Sequence, residues 1–436
     1  MRPPPPSKPP EVRAPTSGPP PAIETPQLPY EGRLSGRRVS LGVCGSIAAY
    51  KAAQVARLLL KEGAEVQTVL TASAERFVGA ATFGGLTGRP ALTTMWNADT
   101  GGELHVDLAT RSDLLLIVPA TADMLGRLAT GRADDLLTAT ALCARCPVLV
   151  APAMHPRMWS HPATLRNVST LEHDGRVHRI GPVEGEVASG EFGLGRMAEP
   201  EHIVAAAASL VCTQDLAGRH VAVTAGPTVE DLDPVRFVSN RSSGKMGFAI
   251  AERAVARGAK VTLITGPVSL PVPYGVQLVE VRSAVAMRGA VWQALGPDLG
   301  HADALVMTAA VGDYRPAEAH AAKLKRESKR MTLELVQNPD ILAEIGAARR
   351  TYHPILVGFA VETDGDEQVI AHARTKLEKK RVDLVVANHA SDSFGRDDNR
   401  ATLVAPDHVD SLGRLAKTDL ADRILDWVAA RFLGLG

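Results

Sequence analysis

The chain has 436 residues, 45% hydrophobic and 22% charged, with a formal net charge of zero. That length exceeds what one hydrophobic core organises, so two or three domains are expected. Zero net charge and 4% aromatics speak against a nucleic-acid binder, and no apolar run approaches the roughly 18 residues of a membrane span.

Twelve of the 30 prolines fall in the first 30 residues. A run such as Arg2-Pro3-Pro4-Pro5-Pro6 neither continues a helix nor donates to a sheet, so residues 1–35 are predicted to be a disordered Pro-rich tail. This stretch lacks the apolar segment of a secretory signal. The cysteines, Cys44, Cys143, Cys146 and Cys212, are too few for a disulfide framework, so a cytoplasmic location is expected. Cys143 and Cys146 form a C-x-x-C with no second pair and no histidine spacing to complete a zinc site, so they read as core cysteines.

After the tail one design occurs twice. Arg38–Val43 reads as a buried strand, Gly45-Ser46 as a turn, Ile47–Leu60 as a helix, and Gly63-Ala64-Glu65-Val66 leads into a second strand. The second copy has a strand at His220–Thr224, a helix over about Met246–Ala256, and a further strand opened by Gly258-Ala259-Lys260-Val261. Short apolar strands extend both halves: 114–118 and 148–150 in the first, 304–307, 355–358 and 383–386 in the second. The fold class is therefore α/β, two Rossmann-like parallel-sheet domains at residues 36–213 and 218–436. Polar or glycine-rich loops follow the carboxyl ends of these strands, where open α/β sheets place ligands.

In the first domain the turn Gly42-Val43-Cys44-Gly45-Ser46-Ile47-Ala48 follows a strand and opens a helix, an arrangement suited to a phosphate. It is not the dinucleotide fingerprint G-x-G-x-x-G. Pro119-Ala120-Thr121-Ala122-Asp123 and Pro152-Ala153-Met154-His155-Pro156-Arg157-Met158-Trp159 each follow a strand. These motifs resemble the signatures of the flavin-containing cysteine decarboxylases, and His105 matches that family's essential histidine. The resemblance implies a bound FMN held by Gly45, Ser46, Ile47, Thr71, Pro119, Thr121 and Asp123. It also implies His155 and Met158 as substrate contacts, to which the ligase motif of the second domain adds Arg236, and a route in which a cysteinyl side chain is oxidised to a thioaldehyde, decarboxylated and reduced again. Proton transfer would fall to His105, since histidine is the side chain most suited to acid–base work near neutral pH. Two positions depart from the family: His155 stands where the motif has Asn, and Ser189, in the flap Ala188–Met197, stands where the family carries a proton-donating Cys.

In the second domain Thr224-Ala225-Gly226-Pro227-Thr228, Asp233-Pro234-Val235-Arg236 and Ser239-Asn240-Arg241-Ser242-Ser243-Gly244-Lys245-Met246-Gly247 resemble the phosphopantothenate–cysteine ligase signature. Met307-Thr308-Ala309-Ala310-Val311-Gly312-Asp313-Tyr314-Arg315-Pro316 resembles that ligase's A-A-V-A-D-Y-R-P, with Gly312 for Ala. No G-x-x-x-x-G-K-[ST] frame surrounds Lys245, so this is not a Walker A loop. By resemblance the nucleotide is CTP, met by Ser242, Gly244, Met307, Thr308, Ala309, Asp313, Lys323, Pro339, Asp340, Ile341, Leu342, Phe359, Lys376 and Lys380. Lys323 would face the α-phosphate, Asp313 the ribose or a Mg²⁺ ion, and Asn240 the tetrahedral adduct formed as cysteine attacks. A run such as Lys323–Arg330 is otherwise an ordinary solvated face.

Along nearly its whole length, then, the chain resembles the bifunctional coenzyme A biosynthesis enzymes that make phosphopantothenoylcysteine and decarboxylate it to 4'-phosphopantetheine. The resemblance implies a homo-oligomer, with a trimer-based decarboxylase and dimeric ligase domains. An NAD(P)-dependent oxidoreductase is disfavoured because neither βαβ unit carries G-x-G-x-x-G. A non-catalytic flavoprotein of the same fold is disfavoured by the retention of His105, Asn240 and Lys323.

Overall fold

The structure, a computed structural model, describes residues 32–96, 103–325, 332–362, 366–389 and 398–434. The first domain begins with β1 (Arg38–Val43), α1 (Ala49–Lys61), β2 (Glu65–Leu70), α2 (Ala80–Thr87) and α3 (Leu104–Arg111). It continues through β3 (Leu114–Ala120), α4 (Ala122–Ala129), α5 (Leu136–Cys143), β4 (Val148–Pro152), α6 (Pro156–Trp159), α7 (Pro162–His173) and β5 (Val177–Arg179). A hairpin of β6 (Val183–Glu186) and β7 (Phe192–Arg196) precedes α8 (Pro200–Val211).

Strands β1 to β5 form a parallel sheet in the order β2-β1-β3-β4-β5. All seven residues of β3 and five of the six in β1 are buried, as expected for strands covered by helices on both faces. Helix α1 turns Ala49, Ala52, Val55, Ala56 and Leu59 inward, a stripe at helical spacing. Thr121 starts α4 by accepting the Met124 amide at 3.2 Å, and Asp135 starts α5 with a capping box completed by Thr138. The strand order reverses between β1 and β3, which opens a crevice at their carboxyl ends.

The second domain opens with β8 (His220–Ala225), a hairpin of β9 (Val229–Asp231) and β10 (Phe237–Ser239), α9 (Lys245–Ala256), β11 (Lys260–Thr265), β12 (Val276–Glu280) and α10 (Ala284–Leu295). Then come β13 (Ala304–Met307), the paired β14 (Tyr314–Pro316) and β15 (Leu335–Gln337), α11 (Ile341–Ala348), β16 (Ile355–Glu362) and α12 (Asp366–Lys380). The domain ends with β17 (Leu384–His389), β18 (Asp398–Val404), β19 (Val409–Ala416) and α13 (Lys417–Phe432). The main sheet runs β12-β11-β8-β13-β16-β17-β18-β19 and reverses between β8 and β13. Six strands are parallel as predicted, but β18 and β19 add an antiparallel edge that the βαβ reading did not foresee.

Two further expectations are corrected. Residues 1–31 of the predicted tail lie outside the described residues, but 32–35 are packed: Leu34 is fully buried in the first core. Arg33 pairs with Glu62 at 2.7 Å and reaches across to Glu252 of α9 at 2.5 Å, fastening one domain to the other. Cys143 is exposed and Cys146 half-buried, so this C-x-x-C is not a core pair, and all four cysteines are free.

Candidate functional site: two crevices at the strand ends

In the first domain two adjoining clefts occupy the crevice predicted by the strand order. One, of about 600 Å³, is lined by Gly45, Ser46, Ile47, Thr121, His155, Met158 and Ser189 together with Tyr50, Lys51 and Met154. The other, of about 550 Å³, shares Gly45, Thr121 and Met158 and adds Thr71, Ser73, Asp123, Arg127, Asp134 and Asp135. Pro119 closes β3 just before them. The sequence reading missed the Arg127 cluster, in which Arg127 pairs with Asp135 at 2.8 Å and with Asp134. Its only local signal was the run Arg132-Ala133-Asp134-Asp135 ahead of α5.

The crevice suits a flavin phosphate and ring. Backbone N–H groups of Gly45, Ser46 and Ile47 have no acceptor among the described residues, and they sit where a helix begins. Ile47, Tyr50 and Met158 are at least half exposed on the cleft wall, ready to cover an apolar ring. At the bottom of the turn Cys44 is fully buried; loss of solvation pushes its thiol up to about 12, so it stays protonated.

The flap lies over this cleft. Its Gly195 accepts the Met154 amide at 3.0 Å, and a Cβ there would stand 2.3 Å from the Met154 carbonyl oxygen. Only glycine permits that approach. On the flap, Glu191 reaches His155 Nε2 and Arg157 Nη2, both at 3.2 Å, while His155 Nδ1 accepts the Arg157 amide at 3.3 Å. Together these contacts put the proton of a neutral His155 on Nε2, facing the Glu191 carboxylate. His105, in the first turn of α3, lines neither cleft.

In the second domain a polar cavity of about 200 Å³ lies beyond β13 and β16. Met307, Ala309, Asp313, Pro339, Asp340, Ile341, Leu342, Phe359, Lys376 and Lys380 all line it, so ten sequence-predicted residues from four segments meet there. Buried Asn338 ties the walls together: its Nδ2 donates to Gly312 at 2.8 Å and its Oδ1 accepts from Arg315 at 3.1 Å. The lysines are already engaged, Lys376 with the Phe359 carbonyl at 2.5 Å and Lys380 with Asp340 at 2.8 Å. Burial would raise the Asp340 carboxyl, but Lys380 and the Ala343 amide outweigh it and hold the group below the usual range.

Around this cavity Asn240 donates to the Val311 carbonyl at 3.1 Å, and Thr308 donates to the Thr224 carbonyl. Gly244 begins α9 at φ +76, and Ser242 accepts its amide at 3.3 Å. Lys323 is exposed outside the cavity, and Arg236 donates to the Leu324 carbonyl at 3.1 Å, so the structure ties Arg236 to the lysine loop. The rest of the basic run, 326–330, lies outside the described residues. Among the described residues no group of three or more His, Cys, Asp or Glu gathers for a metal.

Fold and crevices thus define a two-domain α/β protein that couples a flavoprotein to a nucleotide-type binding domain. Residues 27–212 match the Flavoprotein family and 216–432 the DNA/pantothenate metabolism flavoprotein C-terminal domain. The coenzyme A biosynthesis bifunctional protein CoaBC of Mycobacterium tuberculosis is 46% identical over 415 residues, covering 91% of this chain and 97% of that protein. Its counterpart from Vibrio cholerae is 40% identical over 398 residues, covering 90% and 98%. The crystal structure of the C-terminal domain of a CoaBC protein aligns at 37% identity and a TM-score of 0.43, over 51% of this chain and all of that one. The chain belongs to the CoaBC family: it is a bifunctional enzyme of coenzyme A biosynthesis, a phosphopantothenate–cysteine ligase and a phosphopantothenoylcysteine decarboxylase.

Proposed function

We propose that the ligase domain consumes CTP, passing through an acyl cytidylate, and that the decarboxylase domain works with FMN in the Gly45–Ile47 crevice. A carboxylate has no leaving group, so amide formation needs an activated acyl. Attack of the phosphopantothenate carboxylate on the α-phosphate releases pyrophosphate, and the cysteine amine then displaces CMP. Lys323 meets the charge that develops at the α-phosphate. Asn240, whose amide has a second N–H beyond the one given to Val311, supports the tetrahedral adduct. Lys376 and Lys380 exchange their present partners for phosphate oxygens. Mg²⁺ would arrive with the triphosphate and take one oxygen from Asp313, which requires no preformed cluster.

The single observation that carries the ligase reading is the convergence of the 307–313, 339–342, 359 and 376–380 segments on one polar cavity. In the decarboxylase crevice FMN supplies the oxidation and re-reduction of the cysteinyl carbon when bound. His155 and Glu191 beside the flap form a proton-holding pair, which favours a passive role for Ser189. His105 is absent from the clefts of its own chain, as a site shared between subunits of a trimer would require. No described helix is long and apolar enough to cross a membrane, which fits the cytoplasmic location we propose.

Incubating the protein with 4'-phosphopantothenate, cysteine and either CTP or ATP tests this reading. Pyrophosphate release with CTP, followed by CO₂ release that depends on FMN, is expected. Equal pyrophosphate release with ATP would overturn the nucleotide assignment.

A further inference from the structure

We propose that Asp233 is a positioning residue for nucleotide activation: it fixes the backbone of the loop that carries Lys323. The inference deepens the assignment of Lys323 to the α-phosphate and rests on it.

Asp233 sits in the turn between β9 and β10, and its side chain has no solvent exposure. Its Oδ1 accepts the amides of Val235 and Arg236, both at 2.8 Å, which shapes the turn itself. Its Oδ2 lies 3.8 Å from the Arg236 guanidinium and accepts the Leu324 amide at 3.1 Å, a partner 91 residues away. Leu324 is the residue directly after Lys323. The other side of the same residue is also held, because Arg236 Nη2 donates to the Leu324 carbonyl at 3.1 Å. A third tie lies upstream, where the His320 amide donates to the Leu232 carbonyl at 2.9 Å.

The turn therefore clamps the lysine loop by backbone groups, leaving the Lys323 side chain exposed and free to meet a ligand. A lysine has four rotatable side-chain bonds, so its useful placement depends on where its Cα is held. Because the Asp233 carboxylate is closed to solvent, water cannot replace a lost acceptor there.

Asp233→Asn is the selective change. It preserves shape and one oxygen for the turn, but sets an N–H₂ group against the Leu324 N–H. In the full-length chain we expect kcat for pyrophosphate release to fall about tenfold, with the CTP KM within about twofold of the parent. Amide formation from supplied acyl cytidylate and cysteine stays at the parental rate, as does CO₂ release from supplied phosphopantothenoylcysteine. Limited trypsin digestion should cut after Lys323 and Lys325 about tenfold faster than in the parent, a readout independent of activity. Parental cleavage together with parental pyrophosphate release overturns the proposal. If CO₂ release also falls, the variant has misfolded and Arg236→Met decides: faster cleavage after Lys323 supports the clamp, and parental cleavage refutes it. Lys323→Gln separates the two ideas, since unchanged pyrophosphate release there removes the lysine assignment, while the cleavage rate of Asp233→Asn, whose Lys323 is intact, still reports on the clamp.

Discussion

Both crevices lie at the carboxyl ends of parallel strands and are completed differently. The decarboxylase crevice is wide, floored by strand ends, and roofed by a hairpin fastened through Gly195, Glu191 and His155. His105, which we propose as its acid–base residue, is missing from its walls. The ligase cavity is small and gathers ten predicted residues within one chain, but Lys380 is paired with Asp340 and Lys376 donates to the Phe359 carbonyl. The contrast is that the first site leaves His105 outside its clefts, as the shared-subunit site we propose expects, whereas the basic side chains of the second are held by internal partners that a ligand must displace.

The sharpest way to break this comparison is His105→Asn. CO₂ release should fall about 10²–10⁴-fold, the usual contribution of a positioned acid–base group, while CTP-dependent pyrophosphate release is unchanged. Loss of both activities in a folded protein would show that the two crevices are not independent. Next, Lys323→Gln should lower pyrophosphate release about 10²–10³-fold, whereas Asn240→Asp should let the acyl cytidylate accumulate without amide formation. Rapid-quench analysis of both variants distinguishes them, and identical profiles would remove the division of labour.

A third expectation concerns the core of the first domain. Leu34→Ala removes a fully buried side chain and should cost about 2–5 kcal/mol of stability, read as a lower midpoint in thermal unfolding. An unchanged midpoint would return residues 32–35 to the tail. Smaller still is the effect of Ser189→Ala, which should keep most decarboxylase activity because His155 and Glu191 remain. A variant that releases CO₂ yet stalls at the enethiol would assign proton delivery to the serine.

The last expectation probes how rigid the first crevice is. Cys44 should resist a thiol reagent at about pH 8 while exposed Cys143 reacts. Desolvation raises the Cys44 thiol from its ordinary 9.0 to about 12, so the folded chain holds that proton more tightly than the unfolded chain. That stabilisation is complete below pH 9.0 and drains away between 9.0 and about 12. Labelling of Cys44 at neutral pH would show that the floor of the crevice opens.

What the sequence determined by itself is what local pattern encodes. Apolar runs such as 114–118 and 304–307 have no alternative to burial on both faces, and the turn after β1 announces a helix start. Motifs that follow strand ends therefore fell at the crevices, and Met307, Asp340, Phe359 and Lys376 could be grouped before their contacts were known. Tertiary structure alone decided the rest. The Asp233–Leu324 bond spans 91 residues, Arg33 pairs with residues 29 and 219 positions away, and β18–β19 join as an edge whose partner no periodicity names. His105 carried a motif's authority but no cleft position, because a motif specifies a residue and not the neighbours that surround it. Those neighbours follow from how strands order themselves in a sheet, a choice made by the whole core and written in no single segment.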